Sequence, residues 1–217
     1  MGNVVTDDKG NAKPMTFCYG TSSEYEFKGG DAMYEDINHD GTINELDIVY
    51  IGSSLPKVTG GFGIKFKFGR WTLNNQFNFR YGNKIINANR MNAEAMYNNN
   101  NQSRAVNYRW RVEGDVSDVP RALHQSGYNW LGSDRFVEDG SFLRLNYTQL
   151  SYSFPTKTIK KWGLTQLSFH ISAQNVFCIT KYSGSDPEIS SFGYRPTTDN
   201  SQTPRAKSIT GGITIQF

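Results

Sequence analysis

The stretch Asp36-Ile37-Asn38-His39-Asp40-Gly41-Thr42-Ile43-Asn44-Glu45-Leu46-Asp47 concentrates the side chains most able to do chemistry. With Asp36 counted as the first position, Asp36, Asn38 and Asp40 put oxygen at the first, third and fifth places. Gly41 stands at the sixth, where a sharp turn is needed, and Asp47 closes the loop at the twelfth. This is the spacing of a loop that wraps Ca2+ in oxygen ligands, with Thr42 offering its backbone carbonyl and Asn44 a direct or water-mediated contact. Asp47 stands where helix-loop-helix sensors carry the longer Glu. The following Ile48-Val49-Tyr50-Ile51-Gly52 is short, β-branched and broken by glycine, so a metal here would staple a loop rather than operate a helical switch. A metal-free turn is the other reading, because Asp, Asn and Gly favour turns for their own reasons.

Two further groups of residues invite a chemical reading. Trp110, Tyr128, Trp130 and Tyr182 lie in long polar segments, where an aromatic ring can stack on a sugar, meet a partner protein, or simply pack its own loop. Glu138, Asp139, His124 and His170 could move protons, but none has a nucleophile beside it or a second carboxylate opposed to it in a recognisable setting, so catalysis is not expected. Cys18 and Cys178 allow one disulfide or two unrelated thiols.

The elements that must hold these residues are strands. Phe62, Ile64, Phe66 and Phe68 alternate with Gly63, Lys65 and Lys67, and after Gly69-Arg70 the residues Trp71, Leu73, Phe77 and Phe79 alternate with Thr72, Asn74, Gln76, Asn78 and Arg80. That pattern predicts a hairpin with a two-residue turn. Leu143 and Leu145 fall on one parity and Leu150, Tyr152 and Phe154 on the other, so a bulge near Asn146-Tyr147 is needed to keep one apolar face. Leu167, Phe169, Ile171 and Ala173 form a fourth alternating run, and Ile209, Ile213, Ile215 and Phe217 a fifth. Long connections at 82–141 and 180–205 alternate with short ones, and Ala93 to Tyr97 reads as a helical turn or two. The expected fold is all-β and antiparallel, about five strands with long outer loops. The same alternation fits a segment of transmembrane barrel or a soluble sandwich.

Composition narrows the classes. The chain has 217 residues, 37% hydrophobic, with 14 Phe, 12 Tyr and 21 Gly, which suits strands, tight turns and aromatic girdles. No run approaches the roughly 20 apolar residues of a spanning helix, whereas a barrel strand shows only half its residues to lipid and escapes that test. A net charge of +3 from scattered Lys and Arg gives no footprint for nucleic acid. Met1-Gly2-Asn3-Val4-Val5-Thr6-Asp7-Asp8 lacks the basic start and apolar core of a signal peptide, which predicts a piece of a longer precursor or a protein that is not exported.

Several motifs resemble one family. Asp36 to Ile43 followed by Ile51-Gly52 and Pro56 resembles the loop before a late strand of SusC/RagA-type TonB-dependent outer-membrane transporters. Ser133-Asp134-Arg135-Phe136-Val137-Glu138-Asp139-Gly140-Ser141-Phe142-Leu143-Arg144-Leu145 resembles their entry into a strand near the C-terminus. Ser172-Ala173-Gln174-Asn175-Val176-Phe177 and Thr180-Lys181-Tyr182-Ser183-Gly184-Ser185-Asp186-Pro187-Glu188 are similar to their penultimate strand and its outer loop. The resemblance implies a plugged barrel in the cell outer membrane that imports oligosaccharides or peptides. It also implies a SusD-like surface lipoprotein as lid and a TonB complex that acts through an N-terminal plug. On this reading residues 1–57 are an extracellular loop region carrying the calcium-type loop, and residues 58–217 are the C-terminal part of the barrel in contact with outer-membrane lipid. Five strands cannot close a barrel, which needs at least about eight, so the chain alone is not expected to transport. The competing expectation is a secreted, calcium-stabilised β-sandwich that binds carbohydrate.

Overall fold

The computed structural model describes residues 6, 8–20, 24–189 and 195–217. The chain divides into two units, Met1–Ile51 with Asn87–Val137, and Gly52–Ile86 with Glu138–Phe217.

In the first unit β1 (Thr16–Phe17) pairs antiparallel with β2 (Tyr25–Glu26) and parallel with β3 (Thr42–Ile43). Helix α1 (Ala88–Glu94) begins where Asn87 Oδ1 accepts from the Arg90 amide at 2.9 Å, and it ends as Ala95 turns extended. The helix therefore starts earlier than the expected Ala93 to Tyr97, because Asn87 supplies the cap that Asn92 does not. Single 3-10 turns at Arg104–Tyr108, Tyr128–Trp130 and Asp134–Phe136 add local structure to the long connection.

The second unit is built on one antiparallel sheet. β4 (Val58–Phe68) and β5 (Trp71–Tyr81) form the predicted hairpin, joined by Gly69-Arg70 with Gly69 at φ 58, as a glycine-first two-residue turn requires. The short β6 (Lys84–Ile86) and β7 (Val137–Asp139) form a separate two-stranded ribbon. β8 (Phe142–Ser153) then leads through α2 (Thr156–Ile159) to β9 (Gln166–Thr180), and β10 (Ser208–Gln216) closes the order β10-β9-β8-β5-β4. The sheet is open, with β4 and β10 as edges. The predicted bulge is present: Leu145 pairs with Phe77 and Tyr147 with Gln76, leaving Asn146 unmatched, while Asn175 and Val176 are unmatched on β9.

Cross-strand partners share a face, so the register sorts every side chain of the sheet. One face carries the rows Phe62, Phe77, Leu145, Phe177 and Phe66, Leu73, Leu150, Ile171, then Phe68, Trp71, Tyr152, Phe169, Ile213. It stays open: Phe66 is 58% exposed, Phe68 86% and Ile213 67%. The small apolar core of this unit, Ile85, Tyr182 and Ile189, lies in the ribbon and the 180–205 connection. A sandwich would have enclosed Phe62, Phe66, Phe169 and Ile215, all of which are exposed, so the sandwich expectation is corrected to a single-layer sheet.

Candidate functional site

The second face of the sheet carries the polar rows. Lys65, Asn74, Gln149, Ser172 and Thr210 form one, and Lys67, Thr72, Ser151, His170 and Gly212 another. The His170 ring lies over Gly212, where a β-carbon would stand 2.6 Å from it and the ring would have to move. None of the five strands contains an aspartate or glutamate, while Lys65, Lys67, Arg80 and Arg144 are all on this face. The sheet thus has one apolar side and one polar, cationic side.

Arg144 is the one strand cation that is buried. Its Nη2 donates to Asp186 Oδ1 at 2.5 Å and its Nε lies 3.3 Å from Glu188 Oε2, while Arg205 reaches the other Glu188 oxygen at 2.8 Å. Those contacts hold Asp186, Glu188 and Arg205 together at the polar face. Tyr182 locks the same segment by donating to Asp199 Oδ2 at 2.6 Å, and burial with the adjacent Asp199 carboxylate pushes its phenol well above the ordinary tyrosine range. Glu138 accepts from the Ser183 amide at 2.8 Å and hydroxyl at 2.7 Å, and Asp139 accepts from Ser141. Glu138 and Asp139 are thus tied into loop architecture.

In the first unit the organising group is Asp31, which the sequence did not mark. Its carboxylate accepts from Arg121 Nε at 2.6 Å, Tyr25 Oη at 2.8 Å, the Lys28 amide at 2.8 Å and Asn129 Nδ2 at 3.0 Å. Burial alone would raise its pKa, but these donors, Arg121 foremost, outweigh it and hold the carboxyl below the usual range. Glu94 is likewise clasped, by Arg90 at 2.8 Å and Arg135 at 2.6 Å. Tyr34 donates to the Tyr128 carbonyl and accepts from the Leu131 amide, and burial pushes its hydroxyl up to about 12.

Of the aromatic candidates Tyr182 is buried, while Trp110, Tyr128 and Trp130 are half-buried and make contacts within their own unit. Tyr128 stacks on Tyr25 with centroids 4.0 Å apart and tilts against Phe17. Trp130 donates its indole N–H to the Met91 carbonyl at 2.5 Å and packs on Tyr97, and Trp110 lies against the left-handed Gly30, leaving no room there for a β-carbon. The space enclosed beside Trp130 is about 20 Å³, enough for a water and too small for a sugar ring.

The Asp36 to Asp47 loop closes on itself. Asp36 accepts from the amides of His39 and Gly41, Asp40 from the Thr42 amide and Asn38 Nδ2, and Asp47 from the amides of Ile37 and Asn44. Asn44 and Asp47 form a capping box on the turn Glu45–Asp47, and Gly41 sits at φ 85 as the sixth position demands. Among the described residues no three acidic, histidine or cysteine side chains converge as a ligand set. Thr42 sits in β3, its hydroxyl 3.3 Å from that of Thr16. Cys18 and Cys178 are not disulfide-bonded.

No family model matches the chain. TonB-dependent receptor P39 of Formosa agariphila is 30% identical over 207 residues, covering 88% of this chain and 19% of that protein. TonB-dependent receptor SusC of Bacteroides thetaiotaomicron is 29% identical over 189 residues, covering 85% and 17%. The chain is homologous to the SusC/RagA-type TonB-dependent receptors. It spans about a fifth of the length of the curated relatives it matches. The RagAB peptide importer in its closed-closed state shares the fold of this SusC/RagA homologue with a TM-score of 0.67 at 21% identity, over 98% of this chain and 20% of its own. The structure of the RagAB peptide transporter gives 0.67 at 24% identity over 77% and 18%. TonB-dependent transporters are not enzymes, so the expectation of no catalysis stands on homology.

Proposed function

We propose that the chain is the C-terminal barrel portion of an outer-membrane importer of the SusC/RagA type. In this reading β4, β5, β8, β9 and β10 supply a section of wall, with the apolar face against lipid and the acid-free polar face lining a water-filled pore. The observation that carries it is the exposed apolar face of a sheet long enough to cross a bilayer. Strands of 11 residues at about 3.3 Å each, tilted near 45°, rise about 25 Å, the height of a barrel's apolar band. Trp71, Tyr152 and Phe154 pack together at the short-turn end with centroids 4.8 and 5.1 Å apart, as an aromatic girdle would. The remaining strands, a plug and its TonB contact would complete the importer, a SusD-like lipoprotein would be its lid, and a peptide or oligosaccharide its cargo; five strands alone would not transport. The test is to reconstitute the chain with Trp71 as its single tryptophan into vesicles carrying brominated acyl chains. Strong quenching, with extraction only by detergent, is expected; an unquenched, detergent-free soluble chain would remove the reading.

We propose as a secondary feature that the Asp36 to Asp47 loop takes Ca2+. What supports this is the spacing of Asp36, Asn38, Asp40, Thr42, Asn44 and Asp47, together with the second lone pair that each amide-bound carboxylate oxygen retains. The loop keeps its shape through its own amides, so the ion would add charge neutralisation rather than fold. Calorimetric titration of Ca2+ into the chain and into Asp40→Asn should separate by at least about tenfold in affinity; no heat with either ends the proposal.

A further inference from the structure

We propose that the connection from β8 to β9 is an anchor for anionic phospholipid headgroups. The inference rests on the lipid-facing reading of the sheet. The register places the end of β4, the start of β5, the end of β8, the start of β9 and the end of β10 at one edge of the wall, since Phe68, Trp71, Tyr152, Phe169 and Ile213 form one row. From that edge α2 and the turn Lys160–Trp162 project, with Lys157, Lys160, Lys161 and Trp162 exposed, Trp162 at 62%. The segment is held firmly. Ile159 is buried at 1%, the Ile159 carbonyl accepts from Leu164, and Gly163 at φ 72 ends the turn. Thr165 then donates its amide to the Gln216 carbonyl at 2.8 Å and its hydroxyl to the Phe217 carbonyl at 3.3 Å, tying the turn to β10.

Charge identifies the occupant. No aspartate or glutamate occurs in residues 154–165 or in Gly69-Arg70, and among the described residues none of the three lysines is in an ion pair. Three lysines beside an exposed indole, at the border of an apolar face, match the arrangement in which a bilayer surface offers phosphate to ammonium and a half-polar layer to indole. Each lysine near an anionic surface is worth about 1 kcal/mol, a factor of about five in partitioning, so three together give on the order of 100-fold at low salt. A soluble acidic protein would also meet the charge, but it would leave Trp162 without the adjoining hydrocarbon.

The experiment compares the full chain in vesicles of phosphatidylcholine alone and of three parts phosphatidylcholine to one part phosphatidylglycerol. Wild type should favour the anionic vesicles at low salt by the factor above and lose that preference in high salt. Lys157→Gln, Lys160→Gln and Lys161→Gln combined should abolish it, and the single Lys160→Glu should lower it about tenfold or more. A chain with Trp162 as its only tryptophan should be quenched by brominated phosphatidylglycerol. Equal partitioning of wild type and triple variant overturns the anchor, as does full competition by inorganic phosphate at matched ionic strength, which would mark a free-anion site. Failure of the anchor leaves Trp71 quenching intact, whereas loss of Trp71 quenching in every vesicle overturns both readings.

Discussion

Asp31→Asn changes one charge and almost no volume, yet it should loosen the first unit as a whole. The Asp31 carboxylate is 1% exposed and joins residues 25–31 to Arg121 and Asn129. An amide there keeps one acceptor oxygen and turns an N–H toward donors it cannot satisfy. Removing one partner of a buried pair costs about 3–5 kcal/mol. The Arg121 side chain is 28% exposed and regains some water, which puts the loss at the lower end, about 3 kcal/mol. With a urea slope of about 2 kcal/mol per molar, the midpoint should fall by about 1.5 M. The assay is urea unfolding followed by Trp110 and Trp130, with Trp71 and Trp162 changed to Phe so that only this unit reports. The pH dependence gives a second check. The folded pKa of Asp31 is depressed, so its contribution is present above the ordinary carboxylate value near 4 and is lost as pH falls through the folded value. The gap between wild type and variant should therefore close in acid. A midpoint shift below about 0.3 M at neutral pH, or a gap that does not narrow in acid, would refute the assignment of Asp31 as the unit's hub.

Other perturbations probe the wall and the 180–205 connection. Ile64→Arg, midway along β4 on the apolar face, should cost about 2–4 kcal/mol in vesicle-supported urea unfolding, and Phe68→Arg at the strand end only about 0–1. Equal costs would show that no depth gradient exists. Arg144→Met should leave Asp186 and Glu188 without their buried cation, costing about 3–5 kcal/mol and opening residues 181–205 to proteases, with Arg144→Lys partly restoring protection. Tyr182→Phe should cost about 1–3 kcal/mol, because it strips a donor from Asp199, which is 2% exposed. In the wild type the Tyr182 phenol, its pKa raised in the fold, should stay protonated above the pH where free tyrosine ionises, near 10, so its stabilisation persists to alkaline pH, measurable by phenolate absorbance.

The strands were legible because period-two alternation is a local signal, and so was the bulge, since the apolar parity changes between Leu145 and Leu150. Residues 82–141 show no strand alternation and read as a long connection with a helical turn or two, for the opposite reason. What orders the first unit are polar contacts between distant residues, Arg121 to Asp31 across 90 positions and Arg135 to Glu94 across 41, and these leave no periodic trace. The contacts that the aromatic candidates make within their own loops were hidden on the same ground. Trp110 against Gly30 and Tyr182 against Asp199 are pairings that spacing cannot reveal. In the Asp36 to Asp47 loop the spacing fixes where oxygens occur along the chain but not which way they turn, and Asp47 serves as a helix cap as readily as it could close a metal loop.

The bulge decides what the two faces are for. Without the unmatched Asn146, a one-residue slip would send Leu143 and Leu145 to the side of Lys65 and Gln149, and Arg144 to the side of Phe77. β9 has two unmatched residues opposite, Asn175 at φ 50 and Val176, an even number that leaves its parity unchanged, so Phe177 and Ile179 stay on the side of Ile171. A sheet wetted on both faces would gain nothing from that correction, and a sheet buried on one face would not leave Phe66 and Ile213 more than half exposed. Preserving an apolar face across a break in register, over strands of membrane height, and then leaving it open, is what the proposed lipid-facing wall requires. Deleting Asn146 is therefore expected to abolish insertion into vesicles while leaving the β4 and β5 hairpin paired, as read by amide exchange; retained insertion would mean that the apolar face is not the surface that meets lipid.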